Sequence, residues 1–155
     1  MIAQFPDEVA ARIQELITDE ADTLFGEDYQ IFYGDQSRIG ITPTICVESG
    51  VSVRRLGGIA THGRTENELT TYVIIYYGKV DSNQETKLAS DQLGKTVAKY
   101  LDTNTTLERD GDGGIVIHGW VTEIDPGYIS KDKGNTLYHA VRLTWTGKSK
   151  TILGA

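Results

Sequence analysis

The chain has 155 residues, 39% hydrophobic and 24% charged, enough for one domain that buries roughly two thirds of its unfolded surface and too little for two full cores. Its formal charge of −7 has the wrong sign for a protein whose main task is gripping a phosphate backbone. The single cysteine, Cys46, excludes an internal disulfide, and no run nears the eighteen or so apolar residues of a membrane span.

Residues 1–36 hold nine acids and one base, 37–80 a net +2, 81–112 a net −3 and 113–155 a net +2. The opening, MIAQFPDEVAAR, lacks a basic region followed by an apolar run, so a soluble chain made in cytoplasm is expected. Across 6–25, Val9, Ile13, Leu16, Ile17, Ala21 and Leu24 form one apolar stripe, opposed by Arg12, Glu15, Asp19, Glu20 and Asp22. This predicts one amphipathic helix, entered at Pro6 and stopped at Gly26. A short extended piece at Gln30–Tyr33 precedes TPTICVES, where Pro43 opens a strand or lies on an edge.

Residues 52–68 carry Gly57, Gly58 and Gly63 among Arg54, Arg55, Arg64 and His62 and follow no single period, which predicts a long hairpin arm or flexible loop. The β-branched and aromatic run LTTYVIIYYGKV at 69–80 predicts a central strand. Ser82 and Glu85 have capping-box spacing, and Ala89, Leu93, Val97 and Leu101, flanked by Leu88 and Tyr100, give the stripe of a second helix. A polar connection at 102–114 leads to two alternating runs, Ile115–Asp125 and Thr136–Thr146, expected to pair across the turn residues Asp125-Pro126-Gly127 and Lys133-Gly134-Asn135.

The expected fold is α+β: two amphipathic helices packed on one face of a mixed, mainly antiparallel sheet of four to five strands, with a long hairpin arm. Both parities of several strands are apolar: Tyr72, Ile74 and Tyr76 oppose Val73, Ile75 and Tyr77, Trp120 opposes Val121, and Tyr138 opposes Leu137. Two helices cover one face, so the other needs a lid: a second copy of the chain, placing Tyr72, Tyr76, Trp120 and Tyr138 in an interface, or the 52–68 arm folded back.

No catalytic constellation emerges. His62, His118 and His139 lack the spacing of a metal site, although His118 and His139 fall in the two pairing strands. Asp110-Gly111-Asp112-Gly113-Gly114 begins like a calcium loop but lacks the third acidic position and the distant glutamate. Phosphate-binding loops, dinucleotide fingerprints and the G-x-S-x-G elbow are missing, and Cys46 sits in a strand run that suits a buried hydrophobe. No metal or other cofactor is assigned. Arg54, Arg55 and Arg64, with His62, are the one local basic cluster, suited to an acidic neighbour such as the first helix of another copy.

This order of elements, with TPTICVES, TTYVIIYYGKV and the hairpin at 115–146, resembles the tail-terminator proteins of long-tailed bacteriophages. The resemblance implies a non-enzymatic virion subunit forming a hexameric ring that caps the tail tube and joins it to the head-side connector, with DNA passing through the centre. It also implies sheets packed around the ring and a 52–68 loop reaching a neighbour or the tube. The alternatives are another neck or tail-completion protein, a small α+β enzyme or ligand-binding module using His118, His139 or Tyr76, and a nucleic-acid binder acting through the three arginines.

Overall fold

The computed structural model describes residues 2–56, 63–80 and 84–152. The elements run α1 (Pro6–Asp19), α2 (Ala21–Phe25), β1 (Gln30–Tyr33), β2 (Thr44–Leu56), β3 (Arg64–Lys79), α3 (Gln84–Asp102), β4 (His118–Lys131) and β5 (Thr136–Ile152). The strands form one sheet in the order β1-β2-β3-β5-β4, with β1 parallel to β2 and every other pairing antiparallel. The α+β architecture expected from the sequence is present.

α1 starts where the Glu8 carboxylate accepts the Gln4 and Phe5 amides at 2.6 and 3.2 Å, with Pro6 in the first turn. It buries Val9, Ala10, Ile13, Leu16 and Ile17. The single helix expected over 6–25 is instead two pieces, broken at Glu20. The last turn of α1 holds Asp19 and no base, the wrong sign for the negative end of a helix dipole. The Leu16 carbonyl also accepts the Tyr100 hydroxyl at 2.8 Å, drawing it toward α3. Gly26 then ends α2 with φ +83°, a conformation only glycine adopts freely.

α1 and α3 lie on one face of the sheet over Ile45, Val47, Val73, Ile75, Val141, Leu143 and Trp145. The buried side of α3 is rotated from the expected stripe: Ser90, Gly94, Val97, Ala98 and Leu101 face inward, while Leu88 is exposed. Gly94 sets the angle, because a Cβ there would lie 2.6 Å from Val141. The expected Ser82–Glu85 cap involves Ser82, outside the described residues.

Several strand boundaries differ from expectation: β2 and β3 run on into the 52–68 segment, β5 extends to Ile152, and both ends of β4 shift. β4 begins at His118, because Ile115 and Val116 are buried in the helix-side core and only the Ile117 amide reaches β5, at the Lys148 carbonyl (2.7 Å). Asp125-Pro126-Gly127 is no turn; it continues β4 opposite Arg142, Val141 and Ala140, and the reversal comes at Asp132–Asn135. Proline is tolerated there because β4 is an edge strand.

The helix-free face also has a lid that the sequence reading did not supply. Cys46, Ile74, Tyr76, Tyr138 and Ala140 cluster there with Phe32, Ile39 and Ile129. The connection between β1 and β2 crosses them: Tyr76 donates to Asp35 at 2.7 Å and Tyr138 to the Ile39 carbonyl at 3.3 Å. Lys131 holds the other Asp35 oxygen at 2.8 Å, and the Asp132 amide donates to the Ser37 carbonyl at 3.2 Å. This half of the face is thus closed by residues 35–39 rather than by a second copy or the 52–68 arm.

Candidate assembly surface

Beyond that lid, β2, β3 and β5 continue as the arm expected at 52–68. β3 alone has 16 residues, roughly 50 Å at about 3.3 Å each. On its helix-free face the ladder is polar: Arg55, Glu66 and Lys150 lie level, and so do Val53, Glu68, Lys148 and His118. Glu66 and Lys150 pair at 3.4 Å, both about half exposed, so the bond contributes little to folding. These side chains line an open groove of about 340 Å³ with Ile117 at its side. On the arm's other face Arg54 and Leu56 are exposed along β2, while β3 and β5 bury an uncharged polar cluster, with Thr65 and Thr151 hydroxyls 2.6 Å apart and Asn67 donating to Ser149 at 3.2 Å. Ser149 in turn donates to the Ala3 carbonyl at 2.5 Å, which ties the N-terminal segment across the arm.

The candidate contact residues divide. Arg54, Arg55 and Arg64 are exposed on the arm, with the Arg54 guanidinium 5.1 Å from the Phe5 ring centre; His62 lies outside the described residues. Of the expected interface aromatics, Tyr76 and Tyr138 are buried under the 35–39 lid, whereas Tyr72 is half-buried beneath Arg142 (5.1 Å) and Trp120 is exposed beside His118 (5.8 Å). The arm segments 50–56, 63–69 and 147–152 carry five bases against two acids.

The acidic pole is at the far end. α2 lies with Thr42, Pro43, Tyr77 and Leu93 around a shared cleft, about 40 Å along β3 from Arg64. No base occurs between Arg12 and Arg38, and Glu20, Asp22, Glu27 and Asp28 fall in that interval. Part of the first helix's charge is already used. Arg109, from the connection before β4, donates to Asp19 at 2.7 and 3.3 Å and to Glu15 at 3.2 Å, and this hydrogen bonding holds the Asp19 carboxyl below the ordinary carboxylate range. That clamp is invisible to local pattern, because its partners are 90 and 94 residues apart.

The remaining chemical candidates are dispersed. His118 and His139 do not meet: the first is level with Lys148 and the second with Tyr128, at opposite ends of β4. His139 is buried, its ring centre 5.3 Å from that of Tyr128. Cys46 is buried, which pushes its thiol up to about 11 and keeps it protonated. Burial pushes the Asp35 carboxyl up, but the Lys131 and Tyr76 hydrogen bonds outweigh it and hold that group below its usual range. Burial and the Asp35 charge both raise Tyr76. This cluster is a structural clasp. Among the described residues no group of three or more His, Cys, Asp or Glu side chains is placed to hold a metal ion, and no helix of the described chain is long and apolar enough to cross a membrane.

No protein-family model matches the sequence, and no curated protein matches it. Among solved structures, the chain is similar to one from the virion of a native gene transfer agent particle, with a TM-score of 0.51 over 92% of this chain and 95% of that one. At 12% identity, the likeness is one of fold. The likeness spans almost all of both chains, so it concerns the fold as a whole rather than a fragment.

Proposed function

We propose that this chain is a structural, non-enzymatic subunit of a phage-type virion tail, forming a ring, hexameric by family resemblance, that terminates the tail tube and joins it to the head-side connector. DNA passes through the ring without specific binding, in keeping with the net charge of −7. The observation that carries this reading is the uneven charge of one small domain: an arm with five bases against two acids on a chain whose net charge is −7. A head-to-tail contact that sets unlike surfaces of successive copies together closes into a ring when its rotation closes. The fold likeness to a gene transfer agent virion chain supports the same reading.

The test is assembly. Solution mass and electron microscopy, alone and with the tube protein of the same tail, are expected to show a sixfold ring with a central opening. Arg54→Glu with Arg55→Glu is expected to hinder the ring while leaving thermal unfolding within about 0.5 kcal/mol, because both side chains are exposed. A chain that stays monomeric alone and with tubes, and leaves tube length unregulated, refutes the role.

A further inference from the structure

Among the described residues each margin of the sheet has a stretch with no strand beside it, and the two stretches complement one another. β1 pairs with β2 only over Thr44–Val47, so Ser49–Leu56 has a strand on one side alone among the described residues. At the other margin, the upper part of β4 is occupied: the Gly119 amide donates to the Thr105 carbonyl at 2.7 Å and the Val121 amide to Asp102 at 2.9 Å. Below it, no described strand pairs with the outer side of β4 from Thr122 to Lys131.

Both free edges carry exposed apolar side chains: Val51, Val53 and Leu56 are 67%, 42% and 69% exposed, Ile124 and Tyr128 44% and 53%. Their charges are opposite. The β2 edge has Arg54 and Arg55 and no acid beyond Glu48; the β4 edge has Glu123 and Asp125 and no base before Lys131. An unpaired edge is a template for a strand of another chain; the bulge between Ser49 and Ser52 leaves Ser52–Leu56 as the regular part of the β2 edge, and opposite charge selects which edge pairs with which.

We infer that successive copies join by antiparallel pairing of the Ser49–Leu56 edge of one with the Thr122–Lys131 edge of the next, which sets Arg55 against Glu123 and Asp125. This rests on the self-assembling reading above and names the partner surface as β4 rather than the acidic first helix. Strand directions favour it. β2, β3, β5 and β4 alternate, so β4 and β2 run oppositely, and a neighbour related by simple rotation presents its β2 antiparallel to β4. Faces match too, since Arg55 is level with Glu66, and Glu123 and Asp125 with Tyr72 and Ile74, all on the helix-free side.

The match requires a stagger. Within one copy Arg55 is level with Lys150, Glu123 with Thr144 and Asp125 with Arg142, so the neighbour slides by six to eight residues, roughly 20–26 Å. That slide carries the neighbour's β1 past the end of β4, where it would otherwise obstruct pairing. Across five strands of about 4.8 Å spacing it tilts the strands by roughly 40–47°, beside the 35–45° at which sheets close into barrels. Pro126 lacks an amide hydrogen and removes at most one bond from the new ladder.

Cysteine cross-linking tests the pairing. Arg55→Cys and Asp125→Cys in one chain, oxidised mildly, are expected to give covalent dimers and higher species at about tenfold the yield of either single variant, since bridged Cα atoms must come within about 7 Å; Cys46 is buried and stays out. Arg55→Glu or Asp125→Arg alone is expected to weaken assembly about tenfold, and the two together to restore it. Rings that form without enhanced cross-linking, and that ignore the charge reversals, overturn the edge pairing and leave the ring standing. A chain that forms no ring with or without tubes overturns both.

Discussion

The two halves of the helix-free face have opposite solutions to the same exposure. At the Thr44 end, Cys46, Ile74, Tyr76, Tyr138 and Ala140 are apolar and roofed by the chain's own 35–39 segment. At the arm end the same strands switch to Glu66, Glu68, Lys148 and Lys150, which need no roof. A strand's parity says which face a side chain joins; position along the strand decides whether that face is covered. In the assembly proposed above, the contact surface is the arm and the sheet edges, with Trp120 and Tyr72 at the boundary, rather than the apolar face as a whole.

That contrast can be broken most severely through its covered counterpart on the helix side. Trp145 is fully buried, so Trp145→Ala should cost about 3–5 kcal/mol in chemical denaturation. Next is overpacking of the same ring. A Cβ at Gly119 or Gly147 would lie 2.1 or 2.2 Å from the indole, and Gly147→Ala is expected to cost about 1–3 kcal/mol and lower the melting temperature.

The lid should yield to a smaller change. Asp35→Asn weakens the clasp to Lys131 and Tyr76, and since its side chain is 37% exposed, screening limits the loss to about 1 kcal/mol. The folded-state Asp35 carboxyl lies below its ordinary value, so the wild-type advantage is present above about pH 4 and disappears as pH falls through the depressed value. Denaturation of both proteins at pH 7 and pH 2.5 checks the sign, and an advantage that grows in acid contradicts the clasp. Smallest is Trp120→Ala, with an unfolding change within about 0.5 kcal/mol because the indole is exposed. If the boundary is correctly drawn, its visible effect falls on assembly.

Much of this molecule is legible from local pattern. The apolar stripe of α1, the β-branched run of β3 and the placement of both helices on one face follow from periodicity and layer packing, while the arm is signalled only by its glycines and the lack of a period. The errors share a cause. Asp125-Pro126-Gly127 has turn chemistry, yet an edge strand tolerates it; Ile115 and Val116 alternate like strand residues, yet the helix-side core claims them. Leu88 fits a helical stripe, but Gly94 against Val141 rotates α3 so that Leu88 faces out.

The sequence by itself determined the kind and order of the main elements, the charge asymmetry and the excess of apolar β surface, because each is written in the spacing of neighbouring residues. Tertiary structure alone decided what covers that surface, which acids Arg109 consumes and which strand edges remain unpaired. Those outcomes depend on residues up to 99 positions apart, as Ile39 and Tyr138 are, brought together only when the sheet closes over the order β1-β2-β3-β5-β4.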